Sequence, residues 1–260
     1  MSIKITAEQV KDLRDKTGVS VMQCKNALEE AEGDLEKALI ILKKKSSSIA
    51  MKKADRNAKD GLIIVKENTE KALLLVLHTE TDFVAKNDDF INLANKLADL
   101  GLNEGIEAMT NKSKDLIDEI VQKVGEKIEL GRVEEVKSSI IGSYIHNNKS
   151  AVIVSLSSGT KELARDIAMH IAAMKPAFTT SDEITEEDRK KVIEVFEKEV
   201  AESDKPEDIK KKMLEGKIST YFKEQTLMDQ AYIKNGDVTV GTLLKNNNAV
   251  LSSFIFESIN

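Results

Sequence analysis

Few residues of this 260-residue chain have the type and spacing to do chemistry. Ser157-Ser158-Gly159-Thr160 falls at an expected strand-to-helix turn, where the N–H groups that open a helix can hold an anion. The same residues also make an ordinary helix cap, and no acid–base pair lies near them in sequence. His78, His146 and His170 are far apart and lack metal-ligand spacing. His170, within AMHIAAM, reads as a core or interface histidine. Cys24 sits at an apolar helical position and reads as packing rather than as a nucleophile. There is no GxxxxGK[ST] to cradle nucleotide phosphates and no HExxH for zinc. Carboxylates abound, but they are spread along solvated helix faces. The expectation is a chain that is not an enzyme, with no catalytic residue, no cofactor and no metal of its own.

One loop stands apart. After the apolar run Ala72–Leu77 and His78 comes the polar stretch Thr79-Glu80-Thr81-Asp82, and then Phe83 and Val84. Phe83 is one of only seven phenylalanines, placed where a loop should be wet. Two readings stay open. Asp82 caps a helix while Phe83 folds back as a staple, or the aromatic projects from a rigid loop to insert into a partner.

The elements that must hold this loop follow from periodicity. Residues 6–45 read as three short helices. Thr6 and Gln9 form a capping box, Gly18 closes the first helix, and Gly33-Asp34 separates the second from the third. Residues 46–60 read as a basic, partly helical linker, with a patch for an acidic surface as the sharper reading. From Gly61 the period changes. LIIVK and ALLLVLH read as a hairpin, followed by helices from about Asp89 and Ser113 and a strand in KIELGRVEEV. The plan then repeats: IGSYIH and AVIVSL as strands, LARDIAMHIAAM as a helix. Residues 185–225 read as two helices broken at Pro206, with Ile193, Phe196 and Val200 on one and Ile209, Met213 and Leu214 on the other. The end reads as a short helix and a strand that returns to the second sheet.

The expected class is therefore α+β: an N-terminal three-helix module (1–45), a linker (46–60), and two related subdomains with antiparallel sheets (61–138, then 139–180 with 226–260). A projecting helical hairpin (181–225) interrupts the second.

Composition narrows function by exclusion. Lys and Arg number 39 against 45 Asp and Glu, a net charge of −6, which argues against nucleic acid as main partner. Aromatics are 4% and Trp is absent, so base-stacking platforms are scarce. No apolar run approaches a membrane span, the N-terminus has no signal pattern, and a single cysteine fits a reducing cytoplasm.

Four segments resemble one family. ITAEQVKDLRDKTGVSVMQCKNALEEAEGDLEKAL resembles the ubiquitin-associated-type module of bacterial translation elongation factor Ts. TETDFVAKND resembles that family's TDFVAK motif. IGSYIH with AMHIAAMKP resembles its second core half, and TVGTLLKN resembles its C-terminal TVGxLLKE. The matches keep the family order. Ala231-Tyr232 departs from the Pro-Phe of many members.

The resemblance implies guanine-nucleotide exchange on elongation factor Tu. The N-terminal module, at Val19 and Met22, would dock on the partner's G domain. The loop Thr81, Asp82, Phe83, Val84 would enter beside the nucleotide and disturb the partner's Mg²⁺ and phosphate sites. The region of His146 and His170 would touch another partner domain, and the hairpin is the candidate contact for a homodimer. The rival expectation is a protein-binding adaptor built on the three-helix module, without exchange activity.

Overall fold

The computed structural model describes residues 5–259; residues 1–4, the start of the segment read for a targeting signal, and Asn260 lie outside the described residues. The chain forms two compact units, Met1–Val136 with Asn147–Ala151 and Ser258–Asn260, and Lys137–His146 with Val152–Glu257. The class is α+β, with ten α-helices and three small sheets among the described residues. None of these helices is long and apolar enough to cross a membrane.

In the first unit, α1 (Ala7–Thr17), α2 (Val21–Glu30) and α3 (Leu35–Met51) start on side-chain caps. Thr6 and Gln9 form the expected capping box, and Gly18 ends α1 in the left-handed region at φ 69°. Ser20 and Asp34 cap the other two. Leu13, Cys24, Leu28, Ala38 and Leu42 close a small core between them. Cys24 thus packs, as expected. The third helix does not stop near residue 45. It runs to Met51 because Ser46 is buried, Ser47 donates to Asp118 Oδ2 at 2.7 Å, and Ile49 and Ala50 pack on the core of the adjoining sheet.

That sheet has the order β1 (Asp60–Glu67), β2 (Lys71–Thr79), β3 (Ile128–Lys137). β1 and β2 pair antiparallel, Leu62 opposite Leu77 and Ile64 opposite Leu75. β2 is central, so Ala72 to Leu77 are all buried. Between β2 and β3 lie α4 (Asp82–Ala85), α5 (Asp88–Glu104) and α6 (Ile106–Val124). α6 begins earlier than the expected Ser113. It has no side-chain cap, but Ile106 and Met109 pack inward, so burial rather than capping sets its start.

The second unit repeats the plan. β4 (Ile140–His146) and β5 (Ser150–Ser158) lead into α7 (Lys161–Met174). Gly142 lets α7 lie directly on β4: a Cβ there would meet Arg165 N at 2.1 Å. A 3-10 turn (Ser181–Glu183) precedes α8 (Glu186–Ala201) and α9 (Glu207–Gln225). These two pack together, with the Phe196 and Tyr221 rings edge-on at 5.9 Å and Lys217 paired to Glu199 at 2.6 Å. Ile209, expected on the packed face, is exposed. It shares the stripe of Met213 and Lys217 but lies in the first turn of α9, which begins only after Pro206. β6 (Ala231–Tyr232), β7 (Asn235–Thr239) and α10 (Val240–Asn246) come next, and β8 (Val250–Ser258) lies beside β5 in the order β4-β5-β8.

Candidate functional site

The segment from Thr79 to Asn87 forms a single helical turn locked at both ends. Thr81, in extended conformation, is the N-cap of α4, and its Oγ1 accepts from Val84 N–H at 3.4 Å. Ala85 N–H closes the turn on Thr81 O at 3.1 Å. Asn87 then caps α5 by accepting from Asp89 N–H at 2.9 Å. Capping therefore falls to Thr81, and Asp82 is the first helical residue. Its carboxylate accepts from Lys86 Nζ at 2.7 Å, and that bond holds the Lys86 ammonium above its ordinary value.

The turn divides its side chains. Val84 and Ala85 pack against the first core. Phe83 points the other way and is 83% exposed. The staple reading is thereby overturned: α4 turns Phe83 to solvent while Val84 and Ala85 take the core side.

The base of the turn is held by carboxylates that the sequence did not single out. Glu126 Oε2 accepts from Thr79 Oγ1 and from Thr81 N–H, each at 3.0 Å, and its Oε1 accepts from Thr81 Oγ1 at 2.7 Å. In return Glu80 accepts from Lys127 N–H at 2.6 Å and pairs with Arg56 at 3.3 Å. The Lys127 N–H, then Arg56, keep the Glu80 carboxyl below its usual range. Lys53 donates to Gly125 O at 2.5 Å. Gly125, left-handed at φ 78°, ends α6 and turns the chain so that Glu126 meets the end of β2. The one signal in the sequence was that helix-ending glycine. Nothing in the spacing paired residue 126 with 79–81.

The other expected contact residues divide by burial. Met22 is 65% exposed, next to exposed Val21 in sequence, whereas Val19 is a core residue of the three-helix cluster. His146 is at the surface, its Nδ1 3.2 Å from Tyr144 Oη. His170 is fully buried, so its side chain meets no surface. Its Nδ1 accepts from Ile233 N–H at 3.2 Å, which puts the proton on Nε2, 2.8 Å from Gln230 Oε1. Burial lowers its pKa below the ordinary value, against the opposing Gln230 bond. Of the anion candidates, Thr160 caps α7 by accepting from Leu163 N–H at 3.1 Å. Ser157 and Ser158 donate to the carbonyls of Val250 and Asn248. They are committed to structure.

The model of the family described as Elongation factor TS matches residues 80–259. The chain belongs to that family. Full-length likeness agrees. Elongation factor Ts of Legionella pneumophila (strain Lens) is 38% identical over 264 residues, covering 96% of this chain and 90% of the relative. The Hahella chejuensis elongation factor Ts is 38% identical, with the same coverage. That of Marinobacter nauticus is 39% identical, covering 96% of this chain and 89% of the relative. The Elongation factor TS match begins at Glu80, so it contains the whole α4 turn and Glu126.

Proposed function

We propose that the chain is a guanine-nucleotide exchange factor for elongation factor Tu, working in the cytoplasm during translation elongation and performing no chemistry of its own. The observation that carries this reading is the exposure of Phe83 on a turn capped by Thr81 and followed at once by the Asn87 cap of α5. An aromatic held in solvent by a rigid support is prepared for burial in something else.

In this reading the ubiquitin-associated-like module docks on the partner's G domain, with Met22 rather than Val19 in contact. The turn Thr81–Val84 enters beside the nucleotide, where Phe83 displaces groups around the partner's Mg²⁺ and loosens the hold on GDP. The second subdomain, on the side of His146, braces another partner domain. His170 is buried and bonds to Gln230 and Ile233, so it holds β6 in place and makes no partner contact of its own. The hairpin formed by α8 and α9 is kept as the candidate homodimer contact.

Linkage sets the requirement. The factor must weaken GDP as much as GDP weakens the factor. Burying one Phe supplies ~1.5–3 kcal/mol, about one to two powers of ten. The module and the second subdomain must therefore supply the rest of the differential binding. The test is release of fluorescent GDP from elongation factor Tu. Acceleration that saturates with factor concentration supports the reading, and binding without acceleration leaves an adaptor.

A further inference from the structure

We infer that Glu126 is a positioning residue for nucleotide exchange: it presets the α4 turn so that Phe83 is presented before the partner arrives. This rests on the function proposed above.

The geometry is specific. One carboxylate takes three hydrogen bonds from two threonines, at 2.7 to 3.0 Å. Thr79 is the last residue of β2 and fully buried; Thr81 is the N-cap of α4. Glu126 therefore ties the end of a central strand to the start of the one turn that carries Phe83. The bond to Thr81 Oγ1 does a second thing. It occupies the hydroxyl proton, so the oxygen lone pairs face Val84 N–H and the cap is formed. Bonds to an ionised acceptor are stronger than neutral ones. Four residues are too few to form a helix unaided. Without this anchor, the turn would spend part of its time in other conformations, and each would have to be corrected within the complex.

Glu126 is also placed to act through the turn. It follows the end of α6 and precedes β3, and its carboxylate bonds reach back to residues 79 and 81. Phe83 keeps its own apolar contact surface whether or not Glu126 is present. A loss at Glu126 should therefore reduce how often Phe83 is correctly presented after docking.

The experiment uses the full chain, with GDP release from elongation factor Tu followed over a range of factor concentrations. The proteins are wild type, Glu126→Ala, Glu126→Gln, Phe83→Ala and the double variant Phe83→Ala/Glu126→Ala, each with a thermal melt. Glu126→Ala should lower the saturated release rate by about tenfold, ~1.4 kcal/mol, and change the half-saturating concentration by less than about twofold. Glu126→Gln, which keeps one carbonyl acceptor for Thr81 N–H, should fall between. The double variant should be no slower than Phe83→Ala, because Glu126 acts through Phe83. If Phe83→Ala is slow while Glu126→Ala releases GDP at the wild-type rate, the inference is wrong and the exchange function stands. Losses that multiply in the double variant also overturn it. If Glu126→Ala melts early, Glu126→Gln alone and combined with Phe83→Ala carries the same two comparisons. A wild-type chain that releases no GDP removes both readings.

Discussion

Phe83 and Val84 are neighbours in one helical turn and face opposite ways, Phe83 into solvent and Val84 onto the core beneath β1 and β2. Their substitutions should separate accordingly. Phe83→Ala should slow saturated GDP release by about tenfold or more, the equivalent of the lost burial, and leave the melting curve in place. Val84→Ala should cost roughly 1 kcal/mol of stability and little release rate once the factor is saturating. The reversed pattern, with Phe83→Ala unfolding early and exchanging normally, would remove the wedge.

Asp82 is tied to Lys86 and lies at the surface of the turn. Asp82→Ala should therefore give a milder release defect than Phe83→Ala, with no measurable change in melting, since exposed pairs contribute little. A defect as large as that of Phe83 would mean that Asp82 itself meets the partner's charged groups.

Deleting residues 1–45 should do two things. Binding to elongation factor Tu, measured by calorimetry, should weaken sharply. The remaining first unit should also melt earlier, because the cut leaves only residues 46–51 of α3 to cover the core beside α6, and a fragment that short holds its helix poorly. Unchanged melting would show the three helices to be independent of the adjoining sheet and its helices.

His170 predicts a pH dependence. Its folded value lies below the ordinary 6.5, so the unfolded chain takes up a proton that the folded chain refuses. The neutral ring's contribution is complete above about pH 6.5 and is lost as pH falls from there toward the folded value. The wild type should lose melting temperature over that interval more steeply than His170→Asn, which starts less stable. Parallel slopes for the two proteins would refute this assignment.

Gly142→Ala should be among the most damaging small substitutions in the second unit. The new methyl would sit 2.1 Å from Arg165 N and 2.3 Å from Ala164 C, both backbone atoms that no rotamer can move. Forcing α7 off β4 should cost about 1–3 kcal/mol or more, read as a fall in the denaturant midpoint.

Periodicity and caps made most elements legible. The Thr6 box, the Gly18 stop and the two apolar runs within residues 62–77 are local signals, and the structure obeys them. What failed was long-range. The length of α3 depends on Asp118, and the start of α6 on a core assembled by β1 and β2. Phe83 could be seen as odd, but whether it folded back depended on how Thr81 and Glu126 shaped the turn, 45 residues apart. His170 was legible as a core residue from its apolar neighbours. As a contact residue, the role implied by family resemblance, the same histidine proved inaccessible.

The two sheets differ in when they can be completed during synthesis. β1, β2 and β3 have all been translated by residue 137. β5 is made by residue 158, yet its neighbour β8 begins only at Val250. At about 5–20 residues per second, the open edge of β5 waits roughly 5–20 seconds for its partner strand. During that interval the first unit's sheet can already have all its strands, while the second presents the open edge of β5 to whatever it meets. A ribosome stalled before residue 250 should thus hold a nascent chain whose first sheet resists protease and whose second does not.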